Sequence, residues 1–291
     1  YAGITATSTG SYTVVGTPTL TGFSPSTLAV GGSVTITGTN FSATAADNVV
    51  RFGGTNATVT AASATSLTVT VPGGVVTGGT ITVSYAGVTL TSSAYTVVAA
   101  PTLSSFSPSV VSVGGTVTIT GSGFSTTAAN NVVRFNGVAA TVTNATATAL
   151  TVTVPAGVTA GAITVSYAGV TLTSSAYTVV AAPTLTGVSP SIVVVGGTVT
   201  VTGTNFSTTA SDMVVKFNGV SASYVAVSAT QLTVTVPVGA TTGSVTVEYA
   251  GWVLTSSSVS VVPAPTLTGF SPSTLAVGGT VVITGTGFST T

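Results

Sequence analysis

The chain has 291 residues, of which only three are Lys or Arg and three Asp or Glu, a charged fraction of 2% against about 25% in ordinary soluble domains. With no His and no Cys it lacks the side chains for thiol chemistry, zinc binding and most acid–base catalysis, and three cations cannot track a phosphate backbone, which excludes sequence-independent nucleic-acid binding. Mean hydropathy is +0.75, yet Thr, Ser, Gly or Pro interrupts every apolar run well short of the roughly 20 residues a spanning helix needs, so no transmembrane segment is expected.

In chain order, residues 1–17 (YAGITATSTGSYTVVGT) match the closing part of a unit, like the segments that start at Tyr85 and Tyr167. With Tyr first and no basic or apolar leader, the chain reads as a processed product or a window on a longer tandem array. A first complete unit spans 18–100, a second 101–182 and a third 183–264, and 265–291 repeats the opening of a fourth. Pro18, Pro101, Pro183 and Pro265 mark the starts, and Pro25, Pro108, Pro190 and Pro272 follow each by seven positions. Residues 84–103 and 166–185 are identical, as are 18–32 and 265–279. Such self-similarity is the signature of a repeat architecture. Strand addition between the end fragments of neighbouring chains is the other reading of those fragments.

Within a unit the pattern has period two. Val34 and Ile36 alternate with Thr, and so do Leu67, Val69 and Val71, then Ile81, Val83 and Tyr85. This predicts strands with one apolar and one hydroxylated face. Gly53-Gly54, Asn136-Gly137 and Asn218-Gly219 predict tight hairpins at one repeat position. The fold class is therefore all-β, as tandem sandwiches of two packed sheets. Only Ala99-Ala100-Pro101-Thr102 separates Val98 from Leu103, and Pro restricts both itself and its predecessor. Short joints of this kind predict a stiff beaded rod advancing roughly 35–45 Å per unit.

The order P-T-L-x-x-F-S-P-S, V-G-G-x-V-x-I-T-G-x-x-F, V-V-R-F-G-G, L-T-V-T-V-P and a closing Tyr-Ala-Gly resembles the IPT/TIG domain across all three units and both fragments. The resemblance implies immunoglobulin-like sandwiches of the kind found in plexins, Rel-type transcription factors, bacterial surface proteins and carbohydrate-active enzymes. The charged loop residues of its DNA-binding members have no counterpart here. Fold alone does not fix function.

Few residues can carry chemistry. Arg51, Arg134 and Lys216 share one repeat position, with Asp47 and Asp212 four residues before the first and third. Ion pairs Asp47–Arg51 and Asp212–Lys216 between loop and strand are the plain expectation, and exposed pairs of that kind contribute little. The third unit alone holds Lys216, Asp212 and Glu248, which makes an assisted isopeptide bond the sharper alternative. Trp252, the single Trp, stands where Val88 and Val170 stand; it is either a packing residue or a face on which a sugar could stack. Four sequons begin at Asn40, Asn56, Asn144 and Asn205. The Gly pairs at 31–32, 114–115, 196–197 and 278–279 lack a phosphate-loop context and read as turn glycines. Three scattered carboxylates cannot cage calcium, so no metal and no cofactor is expected.

The functional expectation follows from the missing charge. Net charge and edge lysines normally keep β proteins apart, and here both are nearly gone. A Thr-covered face is far cheaper to dehydrate than a charged one. The sequence thus predicts a non-enzymatic structural subunit of an extracellular or cell-surface filament, stalk or sheath of a prokaryote, whose main partner is copies of itself. An adhesin stalk that binds surface glycans or a host receptor is the alternative. A non-catalytic accessory region of a secreted carbohydrate-active enzyme is the third.

Overall fold

A computed structural model describes Gly10 and residues 13–288. Most of the opening fragment, on which the match of residues 1–17 to the end of a unit rests, lies outside the described residues. Among those described, helix is limited to three 3₁₀ turns, Ala45–Asp47, Ala128–Asn130 and Ala210–Asp212; the remaining regular structure is strand.

The first unit shows the plan. Its strands are β1 (Thr19–Ser24), β2 (Thr27–Leu28), β3 (Ser33–Thr39), β4 (Val49–Phe52), β5 (Thr55–Ala62), β6 (Ser66–Thr70), β7 (Thr80–Tyr85), β8 (Val88–Ala94) and β9 (Thr96–Val97). Their order is β1-β3-β6-β5-β4-β7-β8, with β2 and β9 paired in parallel. β5 belongs to both layers. Its first residues pair with β4 (Phe52 opposite Thr55), and beyond Thr58 it pairs with β6 across a bulge between Val59 and Ala61. Bulges bend a strand, which lets one strand pass from sheet to sheet. The chain also changes layer between β1 and β2, where Ser24-Pro25 is cis; Ser107-Pro108, Ser189-Pro190 and Ser271-Pro272 repeat it.

The period-two pattern sets the core. Val34 and Ile36 of β3, Leu67 and Val69 of β6, and Ile81 and Val83 of β7 are buried against Phe41, Val50 and Phe52. Full burial of such side chains contributes about 1.5–3 kcal/mol each. The second unit repeats this with Val117, Ile119, Leu150, Val152, Ile163 and Val165, the third with Val199, Val201, Leu232, Val234, Val245 and Val247. Three cores, one per unit, result. The interleaved Thr and Ser face outward and pair across strands, as in Thr19–Thr39, Thr102–Ser122 and Thr184–Thr204, all at 2.7 Å. Asn136-Gly137 and Asn218-Gly219 have positive φ at both positions, the geometry of a two-residue hairpin turn. Tyr85 and Tyr167 lie half-buried at a strand end, not in the core, whereas Tyr249 is buried in the third unit's core cluster.

Candidate functional site: the joints between units

Consecutive units meet through one construction, made twice. Ala168-Gly169, the tip of the hairpin formed by Gly161–Tyr167 and Val170–Val179, rests on the loop Ala29–Ser33 of the first unit. Ala29 N–H donates to Ala168 O at 3.0 Å, and Ser33 N–H donates to Gly169 O at 2.8 Å. The third unit repeats this on the second: Ser112 N–H donates to Ala250 O at 3.1 Å and Thr116 N–H to Gly251 O at 2.7 Å.

Both partners are shaped for contact. A Cβ on Gly32 would stand 2.8 Å from Ala168 O, and one on Gly115 would stand 2.6 Å from Ala250 O, so only glycine lets the hairpin close. On the other side the tip residues Ala86, Ala168 and Ala250 have φ of 50°, 53° and 50°. The left-handed region costs a non-glycine L-residue roughly 1–2 kcal/mol, and hairpin tips normally take Asn or Gly there. Ala168 and Ala250 are buried in their joints, whereas Ala86, with no described loop in front of it, is exposed. Strain retained at three equivalent tips marks a functional element. Tyr249 and Ala250 belong to the third unit's hydrophobic cluster, against which Val110 of the second unit also packs.

The two joints differ in what surrounds the shared contact. At the first, a cleft of 170 Å³ is lined by Pro25, Ser26, Thr27, Asn130, Tyr167 and Ala168. The second opens to 430 Å³, and Pro108, Thr118, Asp212, Glu248, Tyr249 and Trp252 are among its walls. Two of the chain's three carboxylates and its one Trp therefore converge there. Trp252 Nε1 donates to Ser112 Oγ at 2.8 Å across the joint.

The expected loop–strand ion pairs are replaced by other contacts. Asp47 Oδ2 accepts from Ser42 Oγ at 2.7 Å and Asp212 Oδ2 from Ser207 Oγ at 2.6 Å. Arg51 Nε donates to Asn56 Oδ1 at 2.7 Å, and Arg134 to Gly137 O at 3.1 Å. The reason is position: each Asp closes a 3₁₀ turn directly over a buried Ser, while Arg51 and Lys216 project from the neighbouring strand. Lys216 instead meets Glu248 at 2.6 Å, the one ion pair among the described residues. Glu248 stands where Ser84 and Ser166 bond Thr89 and Thr171. Lys216, Asp212 and Glu248 thus form two separate contacts, with Lys216 on Glu248 and not on Asp212.

Two sequons are committed to structure. Asn40 Nδ2 donates to Thr17 O at 2.9 Å and Asn205 Nδ2 to Ala182 O at 2.8 Å, tying each linker to its unit, and Ser42 and Ser207 are buried. The first and second units each carry a shallow groove of 440 Å³ beside the 3₁₀ turn, lined largely by Ala and Val. In the third unit Met213 and Tyr224 occupy the equivalent positions, and Tyr224 Oη donates to Met213 O at 3.0 Å. Burial pushes the Tyr224 hydroxyl above its ordinary pKa, with the Asp212 charge adding and the Met213 bond opposing. No group of three or more metal-ligating side chains occurs among the described residues.

Sequence reasoning missed the joint itself. It read the Gly pairs as turn glycines, which Gly31 and Gly114 are, with φ of 79° and 80°. It did not see that Gly32 and Gly115 beside them receive the next unit. The available signal was Ala-Gly, not Asn-Gly, three times at a hairpin tip.

Comparison with known proteins bears on the units. The IPT/TIG domain model matches residues 18–98, 101–180 and 183–261. No curated protein matches this chain. Among solved structures, the plexin A4 full extracellular region is similar at 18% identity and a TM-score of 0.36, over 87% of this chain and 25% of that one. The surface glycan-binding protein PbSGBP-B from Prevotella bryantii is similar at 20% identity and 0.26, over 55% and 41%. The I9–I11 tandem from titin is similar at 10% identity and 0.25, over 82% and 96%. The chain thus spans a quarter of the plexin chain it matches.

Proposed function

The chain belongs to the IPT/TIG domain family, with three tandem copies, and from that premise we propose that it is a non-catalytic, load-bearing shaft of a prokaryotic extracellular filament, stalk or sheath. The observation that carries this reading is the repeated joint. Two backbone hydrogen bonds and a glycine-shaped seat lock each unit to the next, so the units act as a stiff series and not as beads on a string. The strands on either side give ladders loaded in shear. Outer faces of paired Thr and Ser, with 2% charge in the whole chain, leave little electrostatic repulsion between copies and little to desolvate when they pack side by side.

Negative-stain microscopy of the purified chain over rising concentration tests the reading. Ordered fibres of constant diameter are expected, with the same onset in dilute buffer and in 1 M salt, because few charges are there to screen. Short single threads at every concentration would overturn self-association and leave a spacer. The wider cleft at the second joint, with Trp252 beside Asp212 and Glu248, favours a second reading in which the shaft also holds a surface glycan. Binding on a glycan array that is lost in W252V would support it.

A further inference from the structure

We infer that Ser112 and Trp252 form an address, a matched pair that assigns the third unit to the second and to no other loop of the chain. The inference concerns the joint alone and is independent of whether copies assemble.

Four loops share the V-G-G framework, and the residue two positions before their first Gly is Ala29, Ser112, Val194 or Ala276. Three described hairpins share the Tyr-Ala-Gly tip, and the residue after it is Val88, Val170 or Trp252; the same tripeptide opens the chain at Tyr1, followed by Ile4. Ser and Trp each occur once in these sets, on the two sides of the same joint. Ser112 is fully buried. Its hydroxyl donates to Ala250 O at 3.3 Å and accepts from Trp252 Nε1 at 2.8 Å, so donor and acceptor roles are both used. The indole also lies over Gly114, with Cζ2 3.0 Å from where a Cβ would be.

Consider the same hairpin on another loop. Ala29, Val194 and Ala276 offer no side-chain acceptor, so a docked Trp would lose the bond its N–H makes to Ser112, and a hydrogen bond left unmade at a partly buried contact is a cost. A Val hairpin lacks this requirement and fits any of the four. The code is therefore one-sided: it bars the third unit from wrong seats. Specificity of this kind is built from what the wrong pairing loses. Near-identical tandem neighbours need it, because residues 84–103 and 166–185 are identical and repeat proteins misassemble by exchanging like elements.

The full chain provides its own probe, since Trp252 is its single Trp. Acrylamide quenching of that Trp, and amide exchange at Thr116 and Ser33, are compared in wild type, S112A and W252V. Both substitutions install residues already present in sister units, so the fold is retained. In S112A, quenching should rise and Thr116 N–H should exchange about fivefold faster, with Ser33 unchanged. W252V should speed Thr116 exchange by a similar factor. A transplant closes the test: in the W252V background, V170W places an indole at the first joint, and adding A29S should protect it from acrylamide. Equal quenching in wild type and S112A, or no protection on adding A29S, would overturn the address.

Discussion

The two joints of this chain share a backbone and differ in their side chains. At both, a strained Ala-Gly tip presents two carbonyls to two N–H groups of a glycine loop. The first adds a smaller cleft of 170 Å³ and, among the described residues, no side-chain hydrogen bond, with Ala29 opposite a hairpin that carries Val170. The second adds the Ser112–Trp252 bond, a cleft of 430 Å³ and a charged rim. The difference teaches that backbone geometry supplies the docking, which every unit must repeat, while side chains supply the identity of a joint, which may vary. Duplication can extend such an array without new design, and a single substitution on each side is enough to distinguish one junction.

The largest expected effect comes from the shared part. G32A or G115A places a methyl group 2.8 or 2.6 Å from the hairpin carbonyl and must push the tip away. Amide exchange should show Ser33 or Thr116 opening at least tenfold faster, each only at its own joint, since two hydrogen bonds are lost there. Equal behaviour of both amides in either variant would break the claim that the joints are independent copies.

The unit cores give the next contrast. Tyr177 Oη donates to Thr159 O at 2.8 Å and its ring packs against Phe135 at 5.2 Å. Tyr95 packs on Phe52 at 5.6 Å, but its buried hydroxyl has no hydrogen-bond partner among the described residues. The loop from Pro72 to Ile81 is one residue longer than that from Pro155 to Ile163. Y177F should therefore cost about 1 kcal/mol in urea unfolding of the full chain, and Y95F should be neutral or stabilising.

Smaller still is the ion pair beside the second joint. Lys216 and Glu248 are 36% and 37% exposed, so K216M should lower stability by well under about 1 kcal/mol and leave Thr116 exchange within about twofold. The smallest effect is that of pH. Without His or Cys, the chain lacks the side-chain types that ordinarily change charge between about pH 5 and 9, and melting temperature should stay flat there. Burial raises the pKa of the Tyr95 and Tyr177 hydroxyls from the ordinary tyrosine value, so the fold favours their protonated form. That contribution is complete below pH 10 and is lost as pH climbs through the folded values, where the melting temperature should fall.

Much of this was legible in the sequence, because period-two alternation and repeat landmarks act locally. Val34, Ile36, Leu67, Val69, Ile81 and Val83 are buried where the alternation placed them, and Asn136-Gly137 turns as its chemistry requires. The charged residues were misjudged for the opposite reason. Asp212 and Lys216 are four apart in sequence, but a 3₁₀ turn sends the carboxylate to Ser207, and Lys216 finds Glu248, 32 residues on, across a strand ladder. Trp252 could be read as a packing residue or as a sugar platform; it packs across the joint, and the sequence could not show where, because its partner lies 140 residues away in another unit. Contacts between units leave no alternation within a strand; their trace is the recurrence, once per unit, of the Gly pair and of Ala at the hairpin tip, which does not say that the two meet.

Stiffness transmitted through the glycine-seated joints is the central claim, and small-angle X-ray scattering of the full chain beside its G32A/G115A double variant tests it most directly. Wild type should give one narrow, extended distance distribution, and the double variant a broader one with shorter mean end-to-end distance. If the two curves superimpose, the joints do not hold the units in line and the account is wrong.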